Sequence, residues 1–242
     1  MDSVQKSFAP RVLVIVPAYN EEKSIEKVVR SLADIPVDCL VINDGSVDST
    51  VEILRAMRAP HVDLFQNLGI GGAVQTGYRY ALQNGYDIAV QFDGDGQHDA
   101  SYIRRILKPI MRGDADIVVG SRFVGDESLF KSSYARRVGI TVLSFILKMM
   151  SGQRVRDVTS GFRAVNRDVI KLFAHSYPSD YPEPESLGVA LTCGFTVLEV
   201  PVAMHERQTG KSSIRGMSSL YYMVKVGLSI VLTCSFKRSK RK

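Results

Sequence analysis

The sequence of 242 residues has no tryptophan, four histidines and only three cysteines. Cys39, Cys193 and Cys234 have neither the spacing of a zinc site nor that of a redox pair, which argues against a disulfide framework and a cysteine-based metal centre. Residues 1–10 lack the apolar run of a secretory signal peptide. We therefore expect a cytoplasmic protein with reduced thiols.

Positive charge is concentrated at one end of the chain. The net charge is +6, and five cations occupy the last six positions: Lys237, Arg238, Lys240, Arg241 and Lys242. Without them the net charge is about +1, so we expect no nucleic-acid partner. The remaining sequence has no linker rich in proline, glycine or serine and no internal repeat, and 45% of all residues are hydrophobic, which suits one buried core.

Strand and helix patterns alternate along the first half of the chain. Apolar and β-branched runs predict strands at 12–16, 39–42, 62–65, 88–92, 117–119 and 196–200. Apolar residues at helical spacing predict the intervening helices, with Asn20 as a cap of the first and Ser49 in a capping box of the second. Helices are also predicted at 136–150 and 185–193. This alternation predicts an α/β fold with a parallel-dominated mixed sheet and helices on both faces.

Two carboxylates, Asp93 and Asp95, follow a predicted buried strand. Ligands of open α/β sheets bind at the carboxyl ends of the strands, and hard oxygen ligands suit Mg²⁺ or Mn²⁺. Gly94 lets the backbone approach a ligand closely, and Gln97 offers one more oxygen. An ordinary acidic turn is the alternative, because Asp-Gly pairs are common in turns.

Two further segments have the character of a nucleotide site, although each also fits a simple turn. Asp44 ends the second predicted strand, where an acid can bind a ribose or a base edge. Asn67 and Gly69 precede a predicted helix whose N-terminus could bind phosphate. The segment lacks the Lys-Ser/Thr ending of a P-loop and the spacing of a dinucleotide fingerprint.

Six motifs occur in one order and together resemble the inverting family 2 glycosyltransferases of GT-A fold. The most similar branch contains the dolichol-phosphate mannose synthases and bacterial polyprenol-linked sugar transferases. The motifs are Val16-Pro-Ala-Tyr-Asn-Glu-Glu22, Asn43-Asp-Gly-Ser46 with Asp48-Ser-Thr50, Asn67-Leu-Gly69, Asp93-Gly-Asp95 with Gln97, Gly120-Ser-Arg122 and Ser160-Gly-Phe162.

The resemblance implies a role for each matching residue. The expected metal ligands are Asp93, Asp95, Gln97 and His205, with Mg²⁺ or Mn²⁺ as the cofactor. The expected donor-binding residues are Pro17, Ala18, Tyr19, Glu21, Asp44, Asn67, Gly69, Asp93, Gly94, Asp95, Arg207 and Lys211. The expected acceptor-binding residues are Arg122, Arg136, Arg137, Ser160, Gly161 and Phe162.

The need for a catalytic base depends on the acceptor. A lipid phosphate is already ionised, whereas a sugar hydroxyl must lose its proton to a carboxylate. Glu183 and Glu185 are candidate bases because the prolines around them stiffen a predicted loop, and Asp157 is a further candidate. Because this stretch departs from the dolichol-phosphate mannose synthase pattern, it favours a sugar acceptor over a lipid phosphate.

The segment 217–236 is apolar except for a narrow polar stripe that includes Lys225. If helical, it is about 30 Å long, but a central lysine disfavours a membrane span. The expected organisation is a catalytic domain at 1–216 and an amphipathic, membrane-associating helix with a basic tail at 217–242. We expect a peripheral protein on the inner face of the cell membrane, bound to lipid or to a small membrane protein. Whether it forms a homo-oligomer stays open.

The expected activity is metal-dependent hexosyl or deoxyhexosyl transfer. The expected donor is a UDP- or dTDP-sugar, and the expected acceptor is a polyprenyl-(di)phosphate-linked molecule of cell-surface polysaccharide or glycolipid synthesis. One alternative is a polyprenyl-phosphate sugar synthase. A nucleotidyltransferase and a non-catalytic membrane scaffold of the same fold are alternatives of other classes.

Overall fold

The computed structural model describes residues 9–125, 134–180, 182–204 and 227–228. Seven strands form one sheet in the order β3-β2-β1-β4-β6-β5-β7. The strands are β1 (Val12–Ala18), β2 (Asp38–Asn43), β3 (His61–Asp63), β4 (Ile88–Gln91), β5 (Ile117–Ser121), β6 (Arg163–Asn166) and β7 (Val197–Pro201). All neighbouring strands are parallel except β6, which is antiparallel to both β4 and β5.

Helices cover both faces of this sheet. They are α1 (Ile25–Ala33), α2 (Thr50–Ala56), α3 (Gly69–Gln83), α4 (Ile103–Arg112), α5 (Tyr134–Ser151), α6 (Arg167–His175) and α7 (Pro182–Thr192), and a 3₁₀ turn (Ala100–Tyr102) precedes α4. The predicted parallel-dominated α/β sheet is therefore confirmed.

The residues of β1 alternate between two apolar cores. Leu13 and Ile15 pack in the core formed with α3, α5, α6 and α7, whereas Val14 and Val16 pack in the core formed with α1, α2 and α4. Full burial of one such side chain contributes about 1.5–3 kcal/mol. Helix α3 lies close to β1 at Gly77, which has no side chain to prevent the approach. A Cβ there would be only 2.2 Å from Ile15 Cγ2. This contact holds the N-terminus of α3 near the end of β1.

Local details differ from the sequence predictions. Asn20 does not cap α1: it has a positive φ of 56°, and the helix begins after Ser24. Ser49 precedes α2 but makes no capping hydrogen bond through its side chain. The capping oxygen comes from Asp48, whose Oδ1 accepts from the backbone N–H and the hydroxyl of Thr50.

The second half contains two elements that were not predicted, β6 and α6. Helix α7 begins at Pro182, so Glu183 and Glu185 lie in its first turn, and the predicted stiff loop is wrong. Proline is tolerated there because the first N–H groups of a helix have no partner within the helix. No helix among the described residues is long and apolar enough to cross a bilayer.

Candidate functional site

A cleft of about 960 Å³ opens at one edge of the sheet. Strands β1, β2 and β4 are parallel, so their carboxyl ends meet there, and β6 begins at the same edge because it runs in the opposite direction. In open α/β sheets this is where ligands bind. The lining residues are Pro17, Ala18, Tyr19, Asn20, Glu21, Glu22, Lys23, Asp44, Val47, Asp48, Asn67, Gly69, Ile70, Ala73, Asp93, Gly94, Asp95 and Glu183.

The loops that follow β1 and β2 form one unit. Asn20 N–H donates to Ser46 Oγ at 3.0 Å, and Asn20 Oδ1 accepts from Val47 N–H at 2.9 Å. Glu21 N–H donates to Thr50 Oγ1 at 2.9 Å, and Glu22 N–H donates to Asp48 Oδ2 at 3.1 Å. Two sequence motifs that are 26–29 residues apart therefore build one wall of the cleft together.

Asp44 connects this wall to the beginning of α3. Its Oδ1 accepts from Leu68 N–H at 2.7 Å, and its carbonyl oxygen accepts from Asn67 Nδ2 at 3.1 Å. Burial raises the pKa of Asp44, and the hydrogen bonds from the Leu68 and Gly69 N–H groups oppose that rise. A Cβ at Gly45 would lie 2.9 Å from Asn67 N, so a side chain there would separate the two segments.

The carboxylate of Asp93 is oriented by two buried side chains. His98 Nε2 donates to Oδ2 at 3.1 Å, and Gln91 Nε2 contacts Oδ1 at 3.5 Å. Gln91 is itself oriented by Tyr177, whose hydroxyl donates to Oε1 at 3.3 Å. Burial opposes ionisation, but the His98 and Gln91 contacts and the charges of His98 and Arg163 lower the pKa of Asp93 below its ordinary value. The Asp93 side chain is still 32% exposed, toward the cleft.

The Ser160-Gly-Phe162 segment lies directly against this carboxylate. A Cβ at Gly161 would lie 2.7 Å from Asp93 Oδ2, so only glycine leaves room for the observed arrangement. The Phe162 ring packs against Phe92 and His98 with centroid distances of 5.4 and 5.0 Å. Ser160 Oγ donates to the Gly120 carbonyl at 2.7 Å and is buried.

Asp93 and Asp95 fit a divalent cation by position and chemistry. Both line the cleft, Gly161 leaves space beside the Asp93 carboxylate, and Gly94 lets the turn lie against β1, where a Cβ would be 2.9 Å from the Pro17 carbonyl oxygen. Among the described residues, no group of three or more His, Cys, Asp or Glu could hold a metal alone. Mg²⁺ is usually held by one or two carboxylates, with substrate phosphates and water as the other ligands. Two carboxylates are therefore enough when a diphosphate is bound.

Gln97 and His98 follow the carboxylate pair, and the metal role predicted for Gln97 stays a prediction. The backbone N–H of Gln97 donates to Asp95 Oδ1 at 3.0 Å, but Gln97 is not among the described residues that line the cleft. The His98 side chain is only 1% exposed and contacts Asp93 from the protein interior. Both residues shape the turn that presents the carboxylates.

The three candidate bases occupy different environments. Glu183 lines the cleft, and burial raises its pKa, which the charge of Arg163 opposes and the charge of Asp93 reinforces. Glu185 is partly buried and is not among the described lining residues. Asp157 is fully buried and accepts from Arg122 Nε at 2.8 Å, Nη2 at 2.7 Å and the backbone N–H at 2.9 Å. Asp157 therefore forms a buried ion pair with Arg122.

A second, basic cleft of about 730 Å³ lies between α5 and the segments after β5 and α5. It has polar and apolar walls, and the described residues that line it are Arg122, Phe123, Gly125, Arg137, Ile140, Thr141, Ser144, Phe145, Lys148, Arg154 and Arg156. Beside it, α5 presents Val138, Val142, Phe145 and Met149 to solvent, with Phe145 62% and Met149 69% exposed. Cations and exposed apolar side chains therefore occur together.

Several predicted residues are outside the described part of the chain. His205, Arg207 and Lys211 belong to this group, as do the side chain of Arg136 and nearly all of the segment 217–236. Their predicted roles stay predictions. At residue 227, a Cβ in place of the glycine hydrogen would lie 3.1 Å from Ile146 Cδ1 of α5.

Some residues of the site were not singled out from the sequence. Gln91 and Arg163 are buried polar side chains beneath Asp93 and Glu183, and neither belongs to a recognised motif. Gln91 precedes the Asp93 motif by two residues, and Arg163 directly follows Ser160-Gly-Phe162. A polar residue within an otherwise apolar strand was the available signal for Gln91.

Comparison with solved structures supports the fold. Glucosyl-3-phosphoglycerate synthase from Mycobacterium tuberculosis, crystallised with Mn²⁺, UDP-glucose and phosphoglyceric acid, superposes with a TM-score of 0.70. The match covers 93% of this chain and 80% of that one at 21% identity. The fold is therefore the GT-A fold that the motif order predicted.

Comparison of sequences gives the family. A UDP-N-acetylglucosamine–dolichyl-phosphate N-acetylglucosaminyltransferase of Methanococcus voltae is 32% identical over 211 residues, covering 79% of this chain and 84% of that protein. An undecaprenyl-phosphate mannosyltransferase of Micrococcus luteus is 32% identical over 222 residues, covering 85% and 88%. The profile of Glycosyl transferase family 2 matches residues 13–173. The chain therefore belongs to glycosyltransferase family 2.

Proposed function

We propose that this protein transfers a sugar from a nucleoside diphosphate to a polyprenyl phosphate, with a divalent cation bound by Asp93 and Asp95. The observation that carries the proposal is the cleft, which brings the segments after β1 and β2, the start of α3 and the two carboxylates after β4 to one edge of the sheet. Relatives named for dolichyl phosphate and undecaprenyl phosphate support the acceptor.

The donor fits the cleft in an extended orientation. The wall formed by Pro17, Ala18, Tyr19, Glu21 and Asp44 suits a base and a ribose, since Tyr19 offers a ring and the acids accept hydrogen bonds. The diphosphate then lies between the start of α3, at Asn67 and Gly69, and the carboxylate pair after β4. The positive end of the α3 dipole favours phosphate there, and the Leu68 and Gly69 N–H groups already donate to Asp44 and Asn67.

Mg²⁺ or Mn²⁺, when bound, would neutralise the charge that develops on the departing nucleoside diphosphate. The chain's own contribution is to fix the ligands: His98 and Gln91 orient Asp93, and the Gln97 N–H orients Asp95. Arg207 and Lys211 are proposed to add positive charge at the same phosphates. Charges that are held in place before the reaction usually make the largest single contribution to catalysis.

The second, basic cleft is the proposed binding site for the acceptor phosphate. Arg137, Arg154 and Arg156 line it, and Arg136 belongs to the same helix as Arg137. Arg122 also lines the cleft, but its Nε and Nη2 already donate to Asp157, so it supports the wall and is not the proposed phosphate ligand. Arginine suits phosphate because its guanidinium can donate two parallel hydrogen bonds. The exposed apolar side chains of α5 are well placed for the first isoprene units.

The reaction is a displacement at the anomeric carbon. An oxygen of the acceptor phosphate forms the new C–O bond, the bond to the nucleoside diphosphate breaks, and the configuration inverts. The phosphate oxygen is already ionised, so no protein group needs to remove a proton. Glu183 would then accept hydrogen bonds from hydroxyls of the donor sugar. If the acceptor is instead a lipid-linked sugar, Glu183 is the proposed base.

We also propose that the protein works on the inner face of the cell membrane. A polyprenyl acceptor requires access to a bilayer, and the basic tail after residue 236 adds about 1 kcal/mol of attraction to anionic lipid per cation near the surface. The proposed arrangement is a catalytic domain at 1–216 with a membrane-associating segment at 217–242.

The test is a panel of UDP-, dTDP- and GDP-sugars with polyprenyl phosphate in mixed vesicles, with and without Mn²⁺. Nucleoside diphosphate release and a labelled sugar-lipid are measured. We expect one donor to be active with Mn²⁺, and Asp95→Asn to lower the rate about 10²-fold or more, because several kcal/mol of charge stabilisation is lost. Asp99→Asn is the matched control: Asp99 caps the 3₁₀ turn before α4 and does not line the cleft.

The alternatives are separated by adding a nucleoside triphosphate with a sugar phosphate, and a polyprenyl diphosphate-linked sugar, to the same panel. Release of pyrophosphate from a nucleoside triphosphate would indicate a nucleotidyltransferase. Sugar transfer to a polyprenyl diphosphate-linked sugar but not to polyprenyl phosphate would indicate the longer acceptor. Binding to vesicles without turnover of any donor would indicate a scaffold and would refute the proposal.

A further inference from the structure

Arg163, the first residue of β6, is a buried cation whose hydrogen-bond acceptors in the described part of the chain are all uncharged. Its side chain is 1% exposed. The guanidinium donates to the carbonyl oxygens of Ser160 at 2.7 Å, Glu183 at 2.7 Å and Val158 at 3.0 Å, and to Ser186 Oγ at 3.0 Å. Within the described residues it forms no ion pair. Such burial is costly unless the hydrogen-bond network is complete.

These four contacts join two segments that meet at the donor cleft. Val158 and Ser160 belong to the turn before β6, which places Gly161 against Asp93. The Glu183 carbonyl and the Ser186 hydroxyl belong to the first turn of α7. One guanidinium therefore connects the backbone beside Asp93 to the backbone that carries the Glu183 side chain.

The charge of Arg163 acts in the same place. It opposes the rise in the pKa of Glu183 that burial causes. A fixed positive charge beside a carboxylate favours its ionised form.

We propose that Arg163 is a positioning residue, whose guanidinium holds the first turn of α7 so that Glu183 lines the same cleft as Asp93. The inference rests on the proposed function for its kinetic test. Lysine cannot replace arginine here, because an ammonium group has three donors on a flexible stem and cannot match a planar five-donor fork.

The experiment is a double-mutant cycle with Arg163→Lys, Glu183→Gln and the double variant, scored on kcat and KM for the active nucleotide sugar. We expect each single change to lower kcat about tenfold, because small displacements of an aligned group are costly. The double variant should lower kcat about 10–30-fold and not about 100-fold, because residues that act through one another are not additive. Arg167→Lys, at the exposed start of α6, is the control that should leave kcat unchanged.

The proposal is overturned if Arg163→Lys leaves kcat unchanged, or if the effects of Arg163→Lys and Glu183→Gln multiply. If Arg163→Lys does not fold, Ser186→Ala takes its place, since it removes one acceptor and keeps the arginine. We expect it to lower kcat about threefold, again without multiplying the effect of Glu183→Gln.

An inactive wild-type protein would instead refute the proposed function. Coupling between Arg163→Lys and Ser186→Ala in urea unfolding would then decide whether the connection exists, and its absence would overturn the inference.

Discussion

The ion pair between Arg122 and Asp157 allows a test of whether Asp157 stabilises the fold or acts as a catalytic base. The Asp157 side chain is fully buried, the Arg122 side chain is 5% exposed, and three hydrogen bonds join the two residues. Asp157→Asn keeps the shape of the side chain but leaves the guanidinium without its counter-charge. Breaking a buried pair in this way costs about 3–5 kcal/mol.

The measurement is urea unfolding of Asp157→Asn beside wild type. We expect the free energy of unfolding to fall by about 3–5 kcal/mol, and the melting temperature to fall by roughly 6–20 °C for a domain of this size. Glu26→Gln is the control, because it breaks the exposed Glu26–Arg30 pair and should cost only about 0.3–0.5 kcal/mol. The double change Arg122→Met with Asp157→Leu should recover most of the lost stability.

A catalytic base at Asp157 would add a second effect. The kcat of folded Asp157→Asn would then fall about 10²–10⁴-fold, together with the loss of stability. A stability loss below about 1 kcal/mol, which is the range of exposed pairs, would refute the reasoning from burial.

Two further changes test the cleft. Gly161→Ala should lower metal-dependent turnover at least about tenfold, because its Cβ would lie 2.7 Å from Asp93 Oδ2 and displace a proposed metal ligand; unchanged Mn²⁺ dependence would contradict this. Asp48→Asn tests the junction of the two loops. Although burial opposes its charge, hydrogen bonds from Thr50 and from backbone N–H groups lower the pKa of Asp48 below 3.8. The ionised form therefore stabilises the fold above that pH, and this contribution is lost as the pH falls through the folded-state pKa. An Asn side chain has one acceptor oxygen and cannot serve both the Glu22 and the Thr50 N–H groups. We expect the variant to be about 0.5–1.5 kcal/mol less stable near neutral pH, and the difference to shrink in urea unfolding near pH 3.

The grouping of residues in the proposed donor cleft could be predicted from local sequence. Each of its residues directly follows a strand that is recognisable by its apolar run, as Asp44 follows β2 and Asp93 closely follows β4. Parallel strands bring their carboxyl ends to one edge, so the chemistry of these residues could be combined before the structure was known. The ordered motifs added the family, which the comparisons confirm.

The region between α5 and β7 was harder to predict. Strand β6 has four residues and is antiparallel to both neighbours, so no regular strand-helix alternation signals it. Helix α7 begins with Pro182-Glu-Pro-Glu185, which resembles a stiff loop because proline disfavours helix interiors. In the first turn that penalty disappears.

The sequence by itself determined the layered α/β architecture, the family and the identity of the carboxylate pair, because strand burial and motif order are encoded by near neighbours. Only the tertiary structure decided which charged groups face the cleft and which are paired beneath it. Asp157, Glu183 and Arg163 are ordinary charged residues in the sequence. Burial and a partner from a distant segment made Asp157 part of a structural ion pair. The tertiary structure placed Glu183 in the lining of the cleft. The direction of β6 placed Arg163 where its guanidinium contacts two sides of the site.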